Sequence, residues 1–372
     1  MQMSLNCTKA LSFAVMSPLA FISSLLSSAY VSISKRFQKK NTPTNPKSLK
    51  QQCTATIDQF LRGISYRYPA EVHFDNTLKK KVENSMLKAG LSPETLTRIQ
   101  PYINSSVNIA ITCYAHTSPN VQESVALLTS YAITVDDLGH EFVDEMKKFV
   151  SNLLDGQSTK HVILRGFFDL MKDYDSQFGH FGGNMIVKSC IEFVCGCYLE
   201  LERESNATED DAVKAPEYPE YPEYLRIKTG VAEAYAFLLF PEDLYPEEKL
   251  LHAYLPAIPY IMKYFNYVND LLSFYKEADE KANYISNYAV AYKITPFESF
   301  EILCERIIDI FHMINTILAP NDGLWRNIEQ FLYGYAVYHM CSPRYKLAEL
   351  DIPAVFEARR LLFPDINQEP ES

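Results

Sequence analysis

The chain has 372 residues, 47% of them apolar, a formal charge of −11 and a pI near 5.3. Lys and Arg form only short runs, chiefly Lys35-Arg36 to Lys39-Lys40 and Lys79-Lys80-Lys81, which argues against a nucleic-acid partner; any anionic ligand must be held locally, against the overall field. Twelve glycines without hairpin-bounded β-branched alternation disfavour a sheet, and eight cysteines without Cys-x-x-Cys or zinc-finger spacing read as buried free thiols in a reducing compartment.

In chain order, residues 1–51 form an N-terminal extension. Positions 10–34 carry no charge and are long enough to span a bilayer, but eight serines and Pro18 dilute them. A membrane anchor, a signal-like segment and a disordered tail stay open, and the basic flank favours an anchor over secretion. The expected location is cytoplasmic, and membrane association through residues 10–34 stays open. Thr42 to Pro46 reads as a linker into one catalytic-sized domain, residues 52–362, followed by a polar tail, residues 363–372.

Ser92-Pro93-Glu94 and Ser118-Pro119-Asn120 read as helix starts with Pro in the first turn. Val121 to Asp137 is apolar on most sides and predicts an inner helix. It ends in Tyr131-Ala-Ile-Thr-Val-Asp136-Asp137-Leu-Gly-His140-Glu141, an apolar run closed by adjacent carboxylates. Glu141 to Leu154 and Val162 to Met171 are predicted helices, and Gly182-Gly183-Asn184 precedes another, Met185 to Glu202. The Tyr-Pro-Glu repeat within Ala215 to Tyr224 reads as a surface loop whose prolines deny a helix until after Pro222. The next helix holds Gly230 in its interior, at a cost of about 1 kcal/mol against Ala, and is expected to bend there. Glu247 to Glu280 reads as helical with interruptions near Pro256 and Pro259. Thr295-Pro296-Phe297-Glu298 resembles a capping box opening a long helix, and Leu324 to Cys341 and Ile352 to Leu362 complete the set.

The stretch with most chemical content is Val268-Asn269-Asp270-Leu271-Leu272-Ser273-Phe274-Tyr275-Lys276-Glu277. On a helix Asn269, Ser273 and Glu277 stand at i, i+4 and i+8, drifting only ~40° and rising ~6 Å per step. An amide oxygen, a hydroxyl and a carboxylate on one stripe suit a hard divalent cation such as Mg²⁺. Alone, the same spacing also fits a solvated helix face. A second acidic cluster at Asp136-Asp137 weighs toward a cavity capped by metal.

Together these stretches resemble the class I terpene cyclases, in which an aspartate-rich segment faces an Asn/Ser/Glu triad. A third stretch, Phe331-Leu-Tyr-Gly-Tyr-Ala-Val-Tyr-His339-Met-Cys341-Ser-Pro-Arg344-Tyr345-Lys346-Leu, is similar to the Arg-Tyr segment of the fungal trichodiene synthase family. The resemblance runs from about Leu61 to Leu350. It implies an all-α class I terpenoid synthase barrel around an apolar cavity, and a carbon–oxygen lyase that ionises farnesyl diphosphate and cyclises the cation.

By the same resemblance, Asn269, Ser273 and Glu277 hold one Mg²⁺ and Asp136 bridges two more, three ions in all. Asp137 pairs with Arg344, and Lys188, Lys276, Arg344 and Tyr345 bind the diphosphate. Aromatic faces stabilise carbocations, and Phe193, Phe237, Tyr264, Tyr267, Tyr335 and Tyr338 are candidates for the cavity wall. A homodimer is compatible with the sequence, which leaves the oligomeric state open. Three departures from the family pattern stand out. His140 occupies the place of a further acid, with Glu141 beside it as a substitute ligand; Lys188 stands where the family carries a diphosphate-sensing Arg; and Ser342-Pro343 precede Arg344. The alternatives are an inactive cyclase-like isoprenoid binder or helical scaffold, and a chain-elongating prenyltransferase. The last would normally carry two aspartate-rich segments.

Overall fold

A computed structural model describes residues 48–69, 72, 76–157, 159–206, 218–278 and 283–363. The uncharged segment at residues 10–34, a candidate anchor, the start of the Tyr-Pro-Glu repeat and the tail from residue 364 lie outside the described residues. Among those described there is no strand, and no helix is long and apolar enough to cross a membrane.

The helices are α1 (Leu49–Gly63), α2 (Asn76–Lys88), α3 (Pro93–Arg98), α4 (Gln100–Cys113), α5 (Pro119–Leu138), α6 (Val143–Lys147), α7 (Phe149–Leu154), α8 (Val162–Met171) and α9 (Tyr174–Phe178). They continue with α10 (His180–Asn206), α11 (Tyr221–Thr229), α12 (Ala232–Phe237), α13 (Glu247–Tyr254), α14 (Ile258–Glu277), α15 (Tyr284–Tyr292), α16 (Pro296–Leu318), α17 (Asp322–Cys341) and α18 (Pro353–Leu362).

Local signals account for most boundaries. Ser92 caps α3 by accepting from the Thr95 N–H. Thr295 and Glu298 form a full capping box at α16, and Asn321 accepts from the Leu324 N–H at the start of α17. Three expectations need correction. Glu141 to Leu154 is not one helix: the chain leaves helical geometry at Phe142, whose buried ring stacks on His161 at 4.0 Å, and again at Lys148. Gly182-Gly183 lie inside α10 rather than before it. A Cβ at Gly183 would stand 2.8 Å from the Tyr174 and Asp175 backbone, so glycine lets α10 start against α9. Gly230 is not within a helix but at the junction of α11 and α12, followed by Val231 at φ +47°. A β-branched residue in the left-handed region is strained by roughly 1–3 kcal/mol.

Packing closes a ring. α5 lies against α4, α4 against α17, α17 against α14, α14 against α12, α12 against α10, and α10 back against α5. α8 backs α5, while α1 and α16 back α14. α5 and α17 are buried along most of their length because they meet neighbours on the ring and on the inside. The described cysteines are all free thiols, and all but Cys195 are buried.

Candidate active site

The ring encloses a cavity of about 390 Å³, within the size range of small-molecule sites. Its lining changes character along each wall helix. On α5, Thr129, Ala132 and Ile133 precede Asp136; on α14, Phe265 precedes Asn269, Asp270, Lys276 and Glu277; on α17, Tyr335 and Tyr338 precede the Arg344-Tyr345 turn. At 1.5 Å per residue, Phe265 and Glu277 are ~18 Å apart along their helix. One end is therefore apolar and aromatic and the other is charged, where helix C-termini gather. Those termini carry partial negative charge and favour cations.

The aromatic end is a stack. Tyr235 lies on Phe265 at 4.4 Å between centroids, and Phe265 on Tyr335 at 4.4 Å, with interplanar angles of 19° and 16°. Phe193 and Tyr338 join this wall. Phe237, Tyr264 and Tyr267, expected there, are not among the lining residues. Tyr264 donates to the Leu332 carbonyl, Tyr267 donates to Glu223, and Phe237 packs edge-on to Phe181. Tyr235 and Phe265, which the sequence reading did not single out, form that part of the wall.

At the charged end, Asp136, Asn269 and Glu277 line the same cavity, so the two acidic stretches converge. Asp136 is open to the cavity interior yet enclosed by protein. Burial, and then Asp137, push its carboxyl above the usual range against the pull of Arg344, Arg226 and Lys276. The Cys197 thiol approaches its Oδ1 at 3.9 Å. Asn269 accepts from Arg226 Nη2 at 3.2 Å and donates through Nδ2 toward His339 Nε2 at 3.2 Å and the Tyr345 hydroxyl at 3.3 Å. Buried Ser273 donates to Glu277 at 2.8 Å, and Lys276 pairs with Glu277 at 2.8 Å while lying 5.6 Å from the Tyr345 ring. Arg344 reaches Asp137. Burial opposes the charge on Arg344, but Asp137 holds its pKa above the ordinary value.

Four expected site residues are not in the lining: Asp137 sits beside Arg344 and Ser273 behind Glu277, whereas Lys188 and Glu141 are held by partners elsewhere. Lys188 is half exposed and pairs with Glu233 at 2.5 Å, outside the cavity lining. Glu141 is taken by Arg98 on the surface and does not line the cavity, because the turn at residues 139–141 carries it away from Asp136. Arg226, which sequence reading did not single out, occupies the cavity wall in the last turn of α11. It bonds Asp270 at 3.0 Å and the Asn266 carbonyl at 3.3 Å. Burial resists both members of the pair; Asp270 holds Arg226 charged, while the carboxyl of Asp270 is pushed up to about 6. The missed signal was Arg226 standing four residues before Gly230, where the helix must end. A Cβ at Gly230 would lie 2.2 Å from Asn266 Oδ1 and 2.9 Å from the Arg226 carbonyl.

Among the described residues no group of three or more His, Cys, Asp or Glu side chains gathers as a metal cluster. The oxygen donors facing the cavity are a mixed set instead, the carboxylates of Asp136, Glu200, Asp270 and Glu277 with the Asn269 amide; Asp270 is taken by Arg226, and Ser273 lies behind Glu277. Four carboxylates line the cavity against three cationic side chains, so a polyanion entering this end meets an excess of negative charge unless cations accompany it.

Comparison with known proteins places this geometry. The family model described as trichodiene synthase (TRI5) matches residues 51–355. An (E)-beta farnesene synthase of Metarhizium brunneum is 36% identical over 84% of this chain and 93% of its own length. The alpha-cuprenene synthase COP6 of Coprinopsis cinerea is 28% identical over 79% and 88%. Among solved structures, a linalool/nerolidol synthase from Streptomyces clavuligerus superposes with a TM-score of 0.58 at 14% identity, covering 74% of this chain and 99% of that one. That likeness gives the fold.

Proposed function

The chain belongs to the trichodiene synthase family, and from that premise we propose that it is a Mg²⁺-dependent sesquiterpene synthase that ionises farnesyl diphosphate and cyclises the cation. The observation that carries the reading is one shared cavity, aromatic at one end and lined at the other by Asp136, Asn269, Glu277, Arg226, Lys276 and Arg344. The names of the farnesene and cuprenene synthases support a substrate of farnesyl length.

The donor set fits Mg²⁺, which takes oxygen ligands and leaves positions for phosphate. Asp136 and the stripe Asn269, Ser273 and Glu277 would hold the metal. Burial and Asp137 disfavour the charged form of Asp136, and a bound cation would offset both. When bound, the metal would neutralise charge growing on the departing diphosphate.

The protein's own groups do the rest. Arg226 and Arg344 present guanidinium forks, and Lys276 a point charge, to the diphosphate oxygens. Their attraction is strongest where water is excluded, and it increases as the carbon–oxygen bond breaks. The isoprenoid lies along the wall of Tyr235, Phe265 and Tyr335, whose ring faces stabilise the migrating charge.

Incubating the purified protein with farnesyl diphosphate and Mg²⁺, with EDTA and geranyl or geranylgeranyl diphosphate as comparators, tests this. A volatile fifteen-carbon terpene, lost with EDTA, is expected. Neither terpene nor pyrophosphate release from any of the three would leave an isoprenoid-binding protein instead.

A further inference from the structure

His339 stands near the end of α17 with no solvent exposure, ringed by Tyr335, Tyr338 and Tyr345. Its Nδ1 is 2.7 Å from the Tyr335 carbonyl oxygen, and its Nε2 is 3.2 Å from Asn269 Nδ2. A carbonyl offers only lone pairs, so the first contact requires the hydrogen on Nδ1; the neutral ring then presents a lone pair at Nε2. That lone pair attracts an amide N–H and repels an amide oxygen.

An asparagine amide can sit either way round, and its neighbours decide. Here the two neighbours that can discriminate agree: His339 Nε2 accepts from Nδ2 and Arg226 donates to Oδ1, while the Tyr345 hydroxyl, which can serve either orientation, accepts from Nδ2.

We propose that His339 is a positioning residue for Asn269: through a relay from the Tyr335 carbonyl it fixes the amide with Oδ1 toward the cavity, so that an oxygen, not an N–H, is offered to the metal. This rests on the reading of Asn269 as a Mg²⁺ donor. His339 touches neither substrate nor metal. It connects the stacked aromatic wall, through Tyr335, to the metal-facing stripe of α14.

The test uses the full chain and two readouts. One is the Mg²⁺ concentration giving half-maximal turnover of farnesyl diphosphate; the other is the rise in melting temperature produced by Mg²⁺ with inorganic pyrophosphate. His339→Phe keeps a ring among the three tyrosines and removes the acceptor. The half-saturating Mg²⁺ is expected to rise ~10-fold or more, as for other residues that orient a metal ligand, with a smaller Mg²⁺–pyrophosphate thermal shift. His339→Gln, whose amide oxygen can accept in its place, should return toward wild type and serves where the Phe variant folds poorly.

The background Asn269→Asp isolates the mechanism. Both side-chain termini are then oxygens, leaving no orientation to set, and the His339 lone pair opposes a carboxylate. There His339→Phe should leave the Mg²⁺ requirement unchanged or lower it. An equal rise in both backgrounds, or no rise in either, overturns the inference. A wild-type protein with neither Mg²⁺-dependent turnover nor a Mg²⁺–pyrophosphate shift would instead overturn the metal reading, and this inference with it.

Discussion

Arg344 and Asp137, 207 residues apart in sequence, meet at the charged end of the cavity, with Nη1 and Nη2 3.2 and 3.4 Å from the two carboxylate oxygens. The contact joins the end of α5 to the turn after α17 and aims a guanidinium beside Asp136. With the two side chains 40% and 25% exposed, the pair adds little to folding, about 1 kcal/mol or less. Under the proposed function its value is positional: it holds the Arg344 guanidinium at the cavity, where a diphosphate would draw the fork from Asp137.

Arg344→Lys keeps the charge and loses the fork. Hydrogen bonds to charged groups are worth ~1.5–3 kcal/mol, so kcat/KM should fall roughly 10- to 100-fold. The melting temperature should barely move. Steady-state kinetics beside a thermal melt checks both, and a Lys variant as active as wild type would remove Arg344 from the diphosphate contacts.

Arg226 and Lys188 make opposing predictions. Arg226 is in the cavity wall and Lys188 is paired with Glu233 outside it. Arg226→Lys should weaken inhibition by inorganic pyrophosphate and lower kcat/KM on the order of tenfold or more. Lys188→Arg should leave both within about twofold, as substitutions away from a site usually do. A gain on Lys188→Arg would restore Lys188 as the diphosphate sensor.

Much of the fold was legible because its signals are local. Pro93, Pro119 and the Thr295–Glu298 box mark helix starts whatever the tertiary structure, and the 3–4 spacing of Leu303, Ile307, Ile310 and Ile314 declares a buried face. Asp136 and the Asn269 stripe could be read because each is a short pattern on one helix. Arg226 could not. Its local sequence, Tyr224-Leu-Arg-Ile-Lys-Thr229, looks like an ordinary amphipathic turn, and only the helix break at Gly230-Val231 and the fit against Asn266 turn it inward. His339 was hidden for a similar reason: in an apolar helix a histidine reads as core until its two ring nitrogens are seen to face a carbonyl and an amide.

Stability against pH should carry the signature of His116. Its Nε2 lies 3.4 Å from the Leu239 carbonyl oxygen, its Nδ1 is buried without a partner, and burial pushes its pKa down to about 4. The folded pKa lies below the unfolded value of ~6.5, so between the two the unfolded chain binds more protons. The stabilisation is complete above about pH 6.5 and is lost as pH falls toward 4, by at most roughly 3 kcal/mol, less after allowing for partial exposure. Asp270, pushed up to about 6, works in the opposite sense over part of this range, so the informative quantity is the difference between wild type and His116→Gln. Denaturant melts at pH 7.5 and 4.5 should show a smaller acid loss for the variant; parallel losses would mean that the imidazole is not the group being protonated.

The apolar end of the cavity bears on how the reaction terminates. Tyr235 donates its hydroxyl proton to Thr129 at 2.8 Å, Thr129 donates to the Val125 carbonyl at 2.8 Å, and the Tyr338 hydroxyl shares a bond with Ser105 at 3.0 Å. Each of these hydroxyls is engaged by protein. An ordered water needs two to four polar partners, and this wall offers few free ones. The final cation should therefore lose a proton and leave as a hydrocarbon rather than capture water. Gas chromatography with mass spectrometry of products formed in ¹⁸O-labelled water decides the matter: a labelled terpene alcohol as principal product would show that water reaches the cation. Thr129→Ala should raise the alcohol fraction by freeing the Tyr235 hydroxyl and opening the space of a hydroxyl beside it, whereas Tyr235→Phe, which removes that hydroxyl, should leave the product a hydrocarbon.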